Sequence, residues 1–155
     1  MARPATNRAW LCIIGFMTNE EQQTIEKILR TARTIATVGY STDPAKPAHT
    51  VPAYLVSQGY RVIPVNPRVA EALGEKGYAS LADVPDAIDV VQIFRRSDQV
   101  GPIVDAAIAA GAKAVWMQVG IVDEEAAARA RAAGLDVVMN QCMKVQHVRW
   151  SSPMI

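Results

Sequence analysis

The stretch "TIATVGYSTDPAKPAHTVPAYL", residues 34–55, decides how this chain is read. A β-branched segment runs through one glycine into a Ser/Thr/Pro-rich loop, and a helical pattern follows. Strand, tight loop and helix start together suit a phosphate, because free N–H groups and the positive end of the helix dipole meet there. The strand is predicted over 34–38. The helix is expected over 51–58, with Thr50 as its N-cap, Pro52 in the first turn and Gly59 as its stop. The three glycines of a dinucleotide fingerprint are missing, since Ser41 and Pro44 stand where further glycines would be needed.

Outward from this unit, helical and strand patterns alternate. Thr18 and Glu21 have the spacing of a capping box, and apolar residues at helical intervals predict a helix over 19–31. Strands are expected at 60–65, 88–94, 112–118 and 135–140. A short helical turn is expected at 80–84. Two further helices are expected, one capped by Ser97 and stopped by Gly111, the other capped by Asp123 and stopped by Gly134. Near-continuous apolar strands separated by helices predict one doubly wound α/β domain with a parallel five-stranded sheet, Rossmann-like in class.

The composition agrees with one globular domain: 155 residues, 50% hydrophobic and 20% charged. Sixteen basic residues against 15 acidic ones leave a net charge of +1, which argues against nucleic-acid or membrane-surface partners. Cys12 and Cys142 are far apart, so reduced thiols and a cytoplasmic location are the simpler reading. The apolar run at 10–16 is short for a signal peptide core and no small-x-small site follows it. Met17 immediately precedes the capping box. The natural start is therefore expected at or near Met17, with residues 1–16 a disordered extension and 17–155 the domain.

Ligands in such sheets bind beyond the carboxyl ends of the strands. Those ends carry Gly39, Tyr40 and Ser41 on the first strand, Val65, Asn66, Pro67 and Arg68 on the second, and Phe94, Arg95 and Ser97 on the third. Gln118 ends the fourth; Asn140, Gln141 and Cys142 end the fifth. Ser97 and Asn140 are as readily a cap and a turn as a site. Gly39 permits close backbone approach, Ser41 offers a hydroxyl, and Lys46 and His49 add cationic donors in the same loop. A free ribose diol calls for a carboxylate after the second strand, but Asn66 and Arg68 stand there. That favours a phosphorylated ribose, either NADP or a 3′-phosphorylated adenosine such as coenzyme A, and the single glycine suits the second better.

The segments "VGYSTDPAKPAHTVPAYLVSQGYRVIPVNP", "VVQIFRRSDQV" and "AKAVWMQVGIVDEEAAARARAAGLDVVMNQCMK" resemble the stand-alone coenzyme A-binding proteins. That family is similar to the nucleotide-binding domain of the succinyl-CoA synthetase alpha subunit. The likeness runs from about residue 34 to residue 150. It implies coenzyme A, or an acyl-CoA, as ligand: Gly39, Tyr40 and Ser41 at the diphosphate with Lys46 and His49 beside it. Val65, Asn66, Pro67 and Arg68 would meet the adenosine and its 3′-phosphate, and Phe94 and Arg95 would line the other side of the crevice. Ala48 stands where many relatives have serine, and Asn140-Gln141 where they often have Asp-Arg.

The synthetases pass phosphate through a histidine in a separate domain, which this chain is too short to include. His147 reads as a packing residue and Cys142 as an inert thiol; Trp116 and Met117 read as core. No paired carboxylates, serine triad or metal-ligand cluster is legible. Three functions stay open at this point. The first is a coenzyme A-binding protein without catalysis of its own. The second is an NADP-dependent oxidoreductase or redox-sensing domain. The third is a fragment catalytic only with an acyl-CoA ligase subunit.

Overall fold

The capping box at Thr18 forms: its Oγ1 accepts the Glu21 N–H at 3.1 Å, and the Glu21 carboxylate accepts the Thr18 N–H at 2.8 Å. It opens helix α1, Asn19–Thr31, with Ile25, Ile28 and Leu29 buried along one face. The computed structural model describes residues 17–152, so the expected extension at 1–16 lies outside the described residues.

Strand β1, Thr34–Val38, follows, then helix α2, Pro47–Ser57, and strand β2, Arg61–Val65. A hairpin, β3 (Glu71–Ala72) and β4 (Glu75–Lys76), and a 3₁₀ turn at Leu81–Asp83 lead to β5, Val90–Ile93. Helix α3 (Val100–Ala109), strand β6 (Ala114–Met117), helix α4 (Glu124–Ala132), strand β7 (Asp136–Val138) and helix α5 (Met143–Ser151) complete the chain. The main sheet is five-stranded and parallel in the order β2-β1-β5-β6-β7. The expected doubly wound α/β domain is what the chain forms.

Two apolar cores cover the two faces of the sheet. Ala36, Val91, Ile93 and Val115 point to α3 and α4. Ile35, Val62, Val90 and Trp116 point to α1, α2 and α5. Trp116 is completely buried and its indole N–H donates to the Gln141 carbonyl at 2.8 Å, so its expected core position holds. Thr37 and Gln92, buried on adjacent strands, satisfy each other through a 2.7 Å hydroxyl-to-amide bond.

Several boundaries differ from expectation for identifiable reasons. Helix α2 begins at Pro47, not after Thr50, because Pro47 supplies a preset φ at the first helical position. Pro52 therefore lies inside the helix, and Thr50 is no cap. Ser97 does not cap α3 either: a 3₁₀ turn at Ser97–Gln99 precedes the helix, and the Ser97 hydroxyl accepts the Val122 N–H at 3.0 Å. The β3–β4 hairpin and α5 carried no clear sequence signal. The hairpin strands are two residues each, closed by Leu73 and Gly74 at φ 57° and 74°. Arg61 ties the hairpin to the sheet through a two-pronged contact with Glu75 at 2.9–3.0 Å.

Candidate functional site

The chain leaves β1 towards α2 on one face of the sheet and leaves β5 towards α3 on the other. β1 and β5 are hydrogen-bonded neighbours, so their diverging loops open a crevice at the carboxyl edge. Gly39 sits at its base with φ +88°. A Cβ there would lie 3.0 Å from the Phe94 carbonyl oxygen and 3.4 Å from the Arg95 side chain. Glycine is required at the base of this notch, because the left-handed backbone and the close Phe94 carbonyl leave no room for a side chain.

Past Gly39 the loop is wound tight by its own polar groups. The Ser41 hydroxyl accepts the Asp43 N–H at 3.1 Å, and the Asp43 carboxylate accepts the Ala45 N–H at 2.9 Å. Lys46 is the N-cap of α2, and His49 lies in its first turn. The His49 Nδ1 lies 3.0 Å from the Ser41 carbonyl, which only a protonated Nδ1 can satisfy; in the neutral ring Nε2 is then the acceptor. The Tyr40 ring is buried, its hydroxyl 3.4 Å from the same Nδ1, and burial raises its pKa above the ordinary 10.0.

Asn66 clips the first two strand ends together. Its Nδ2 donates to the Tyr40 carbonyl at 2.7 Å, its Oδ1 accepts the Arg68 N–H at 2.9 Å, and its own N–H reaches Tyr78 at 2.8 Å. The side chains of Tyr40 and Asn66 are thus spent on shaping the rim, while Pro67 and Arg68 stand exposed on it. Lys46, Arg68 and Arg95 have no ion-pair partner among the described residues. Lys46 and Arg95 each line a cavity beside the notch and Arg68 follows the end of β2, and uncommitted cations along one edge of the sheet suit a polyanion.

Two cavities, each of about 330 Å3, flank the notch on opposite faces of the sheet. The first is walled by Val38, Val65, Leu81, Arg95, Pro102 and Ile103 and is mainly apolar. The second is walled by Pro47, Ala48, Phe94, Gln118, Ile121 and Cys142, with Lys46 and Val119 at its edge. A larger cleft of about 490 Å3 lies at the opposite end of the sheet, between Lys27, Asp89, Lys113 and Asp136, away from these groups. The position of Gln118 at the end of β6 was legible in the sequence; Leu81, Pro102 and Ile103 reach the rim only through the fold. Asn140 serves as a turn, with φ 59° and its Oδ1 accepting the Gly120 N–H at 2.7 Å.

A glycine turn, the free cations Lys46 and Arg95 and a cavity on either side suit an elongated, anionic, partly apolar ligand. Residues 33–148 match the family described as CoA binding domain. The chain belongs to that family. YneT of Bacillus subtilis (strain 168) is 38% identical over 131 residues, 84% of this chain and 97% of that protein. The crystallised hypothetical protein of Pyrococcus horikoshii OT3 is 38% identical with a TM-score of 0.82, covering 89% of this chain and 99% of that one. An acetyl-coenzyme A synthetase of Ca. Korarchaeum cryptofilum, solved with phosphate and ADP, is 32% identical with a TM-score of 0.62. That match covers 72% of this chain and 27% of the synthetase chain. The likeness to a coenzyme A-binding family expected from the rim motifs is thus shown. No described helix is long and apolar enough to cross a membrane.

Proposed function

We propose that the chain binds coenzyme A, or an acyl-CoA, across the notch at Gly39 and has no catalysis of its own. The observation that carries this reading is the notch itself, with family membership behind it. Gly39 keeps side-chain bulk out of the turn where the chain leaves β1, so a diphosphate can approach the loop backbone beyond it. Lys46 stands at the adjoining start of α2 to meet its charge, with the His49 ring beside it. The adenosine enters the cavity walled by Val65 and Arg95, and exposed Arg68 reads the 3′-phosphate from the rim. The apolar walls of that cavity suit a purine face, and the guanidinium of Arg95 can stack on it.

The NADP reading draws no support from the family match, and it needs glycines where Ser41 and Pro44 stand. Thermal unfolding with coenzyme A, 3′-dephospho-coenzyme A, NAD and NADP in parallel tests the assignment. A ligand at a hundredfold its Kd adds about 2.7 kcal/mol of stability, a readable shift. Coenzyme A should stabilise most and its dephospho form less. Stabilisation by NADP alone, or by none of the four, overturns the proposal.

A further inference from the structure

Gln118, one of the residues lining the second cavity, carries a buried group with nothing to bond. Gln118 is 4% exposed; its Oε1 accepts the Met143 N–H at 3.4 Å, and its Nε2 has no partner among the described residues. Turning the amide over would set Nε2 against the Met143 N–H, donor against donor, so the orphan is the Nε2. An unmet buried amide donor is unfavourable, so the site favours a ligand that brings an acceptor within its reach. The remaining walls, Pro47, Ala48, Phe94 and Ile121, are apolar, and the Sγ-bearing residue Cys142 closes the set as a half-buried free cysteine. An arm with apolar segments, amide carbonyls and a sulfur end matches all three features. The pantetheine arm of coenzyme A is such a group, and the cavity opens beside the same first turn of α2 that borders the diphosphate loop.

Resting on the coenzyme A reading, we propose that this cavity holds the arm with its sulfur at Cys142, and that Cys142 exchanges with coenzyme A disulfide to form a mixed disulfide. The Cys142 thiolate attacks the nearer sulfur of the ligand's S–S bond. That bond breaks, a bond from Cys142 Sγ to the ligand sulfur forms, and the departing coenzyme A thiolate takes up a proton from water to balance the one Cys142 lost. The disulfide co-substrate is the oxidant; one protein thiol is oxidised and one coenzyme A thiol is released. A thiol that reduces the mixed disulfide returns the chain to its starting state. The chain would thereby record the ratio of disulfide to thiol in the coenzyme A pool on one side chain.

The test is intact-mass spectrometry of the full chain under non-reducing conditions, after timed exposure to coenzyme A disulfide or, separately, to cystamine. Expected is one coenzyme A adduct, removed by dithiothreitol, mapped to Cys142 and absent in Cys142→Ser. Cys12→Ser, which removes the other cysteine, should keep it. Binding places the two sulfurs together, so the coenzyme A disulfide should react at least about tenfold faster than cystamine. Gln118→Met should slow the coenzyme A reaction and leave the cystamine reaction unchanged. Equal rates for the two disulfides, or an adduct that maps to Cys12, overturn the proposal. If reduced coenzyme A still stabilises the protein in thermal unfolding, only this inference falls; if it does not, the binding reading falls with it.

Discussion

The backbone N–H of Ser41 donates to the carbonyl of Ala48 at 3.2 Å. In an uninterrupted helix that carbonyl would serve the N–H four residues on, but residue 52 is proline and has none. The proline inside α2 thus leaves an acceptor free, and the loop after β1 is tied to it. Pro52→Ala restores a competing N–H. Proline costs about 3 kcal/mol against alanine in a helix interior, more than the roughly 1–2 kcal/mol of apolar burial lost with its ring. The variant should keep or raise the melting temperature while weakening coenzyme A several-fold by calorimetry. Unchanged affinity would show that the loop keeps its shape without this bond.

Gly39→Ala meets two penalties together. Its φ of +88° is unfavourable for alanine, and the new methyl would lie 3.0 Å from the Phe94 carbonyl. Backbone strain of this kind costs about 1–3 kcal/mol. For a domain of this size that lowers the melting temperature by several degrees, at about 2–4 °C per kcal/mol or somewhat more. Ligand binding should be lost even at temperatures where the variant is fully folded. A folded variant that still binds would place the diphosphate elsewhere.

Arg68 is exposed and without an ion-pair partner among the described residues, so its removal should cost little stability. A charged hydrogen bond to a phosphate contributes about 1.5–3 kcal/mol, which is roughly tenfold or more in affinity. Arg68→Ala should therefore weaken coenzyme A about tenfold and 3′-dephospho-coenzyme A hardly at all. Equal losses would remove Arg68 from the 3′-phosphate.

His147 makes stability depend on pH. It is buried under edge-on contacts with Tyr54, Tyr60 and Trp150, with its Nδ1 2.8 Å from the Tyr54 hydroxyl, and burial lowers its pKa below the ordinary 6.5. The unfolded chain then binds the proton more readily than the folded one, so the stability is complete above pH 6.5 and declines as pH falls towards the folded-state value. Glu75 and Asp89 titrate lower still. Arg61 hydrogen bonding depresses Glu75 below 4.5; burial raises Asp89, but the Thr34 and Arg33 N–H groups and Lys113 outweigh it and hold it below 3.8. The melting temperature should fall between pH 7.5 and 5.5, and His147→Gln should flatten that slope. An identical slope in the variant would assign the pH dependence to other groups.

Hydrophobic periodicity and helix punctuation made the order of strands and helices legible without a structure. The apolar runs of β1, β2, β5 and β6 have no polar face to turn outward, so they had to lie inside a sheet covered on both sides. Thr18, Asp123, Gly111 and Gly134 marked helix ends because capping bonds and left-handed backbone are local needs of the chain. The rim residues could be listed from strand ends for the same reason: direction along a parallel strand is a one-dimensional property.

Which of those residues spend their side chains on the fold itself was decided by the tertiary structure. Tyr40 and Asn66 read alike at their strand ends, but Tyr40 is buried and the Asn66 side chain bonds the backbone of Tyr40 and Arg68. Gln118 looked like an ordinary strand end, and only the packing of α5 leaves its Nε2 buried without a partner. Satisfaction of a polar group depends on every neighbour within about 3.5 Å, and most of those neighbours are distant in sequence. Local pattern determines which groups are polar and where along the chain they fall. The meeting of separate segments determines which of them are left with something to bind.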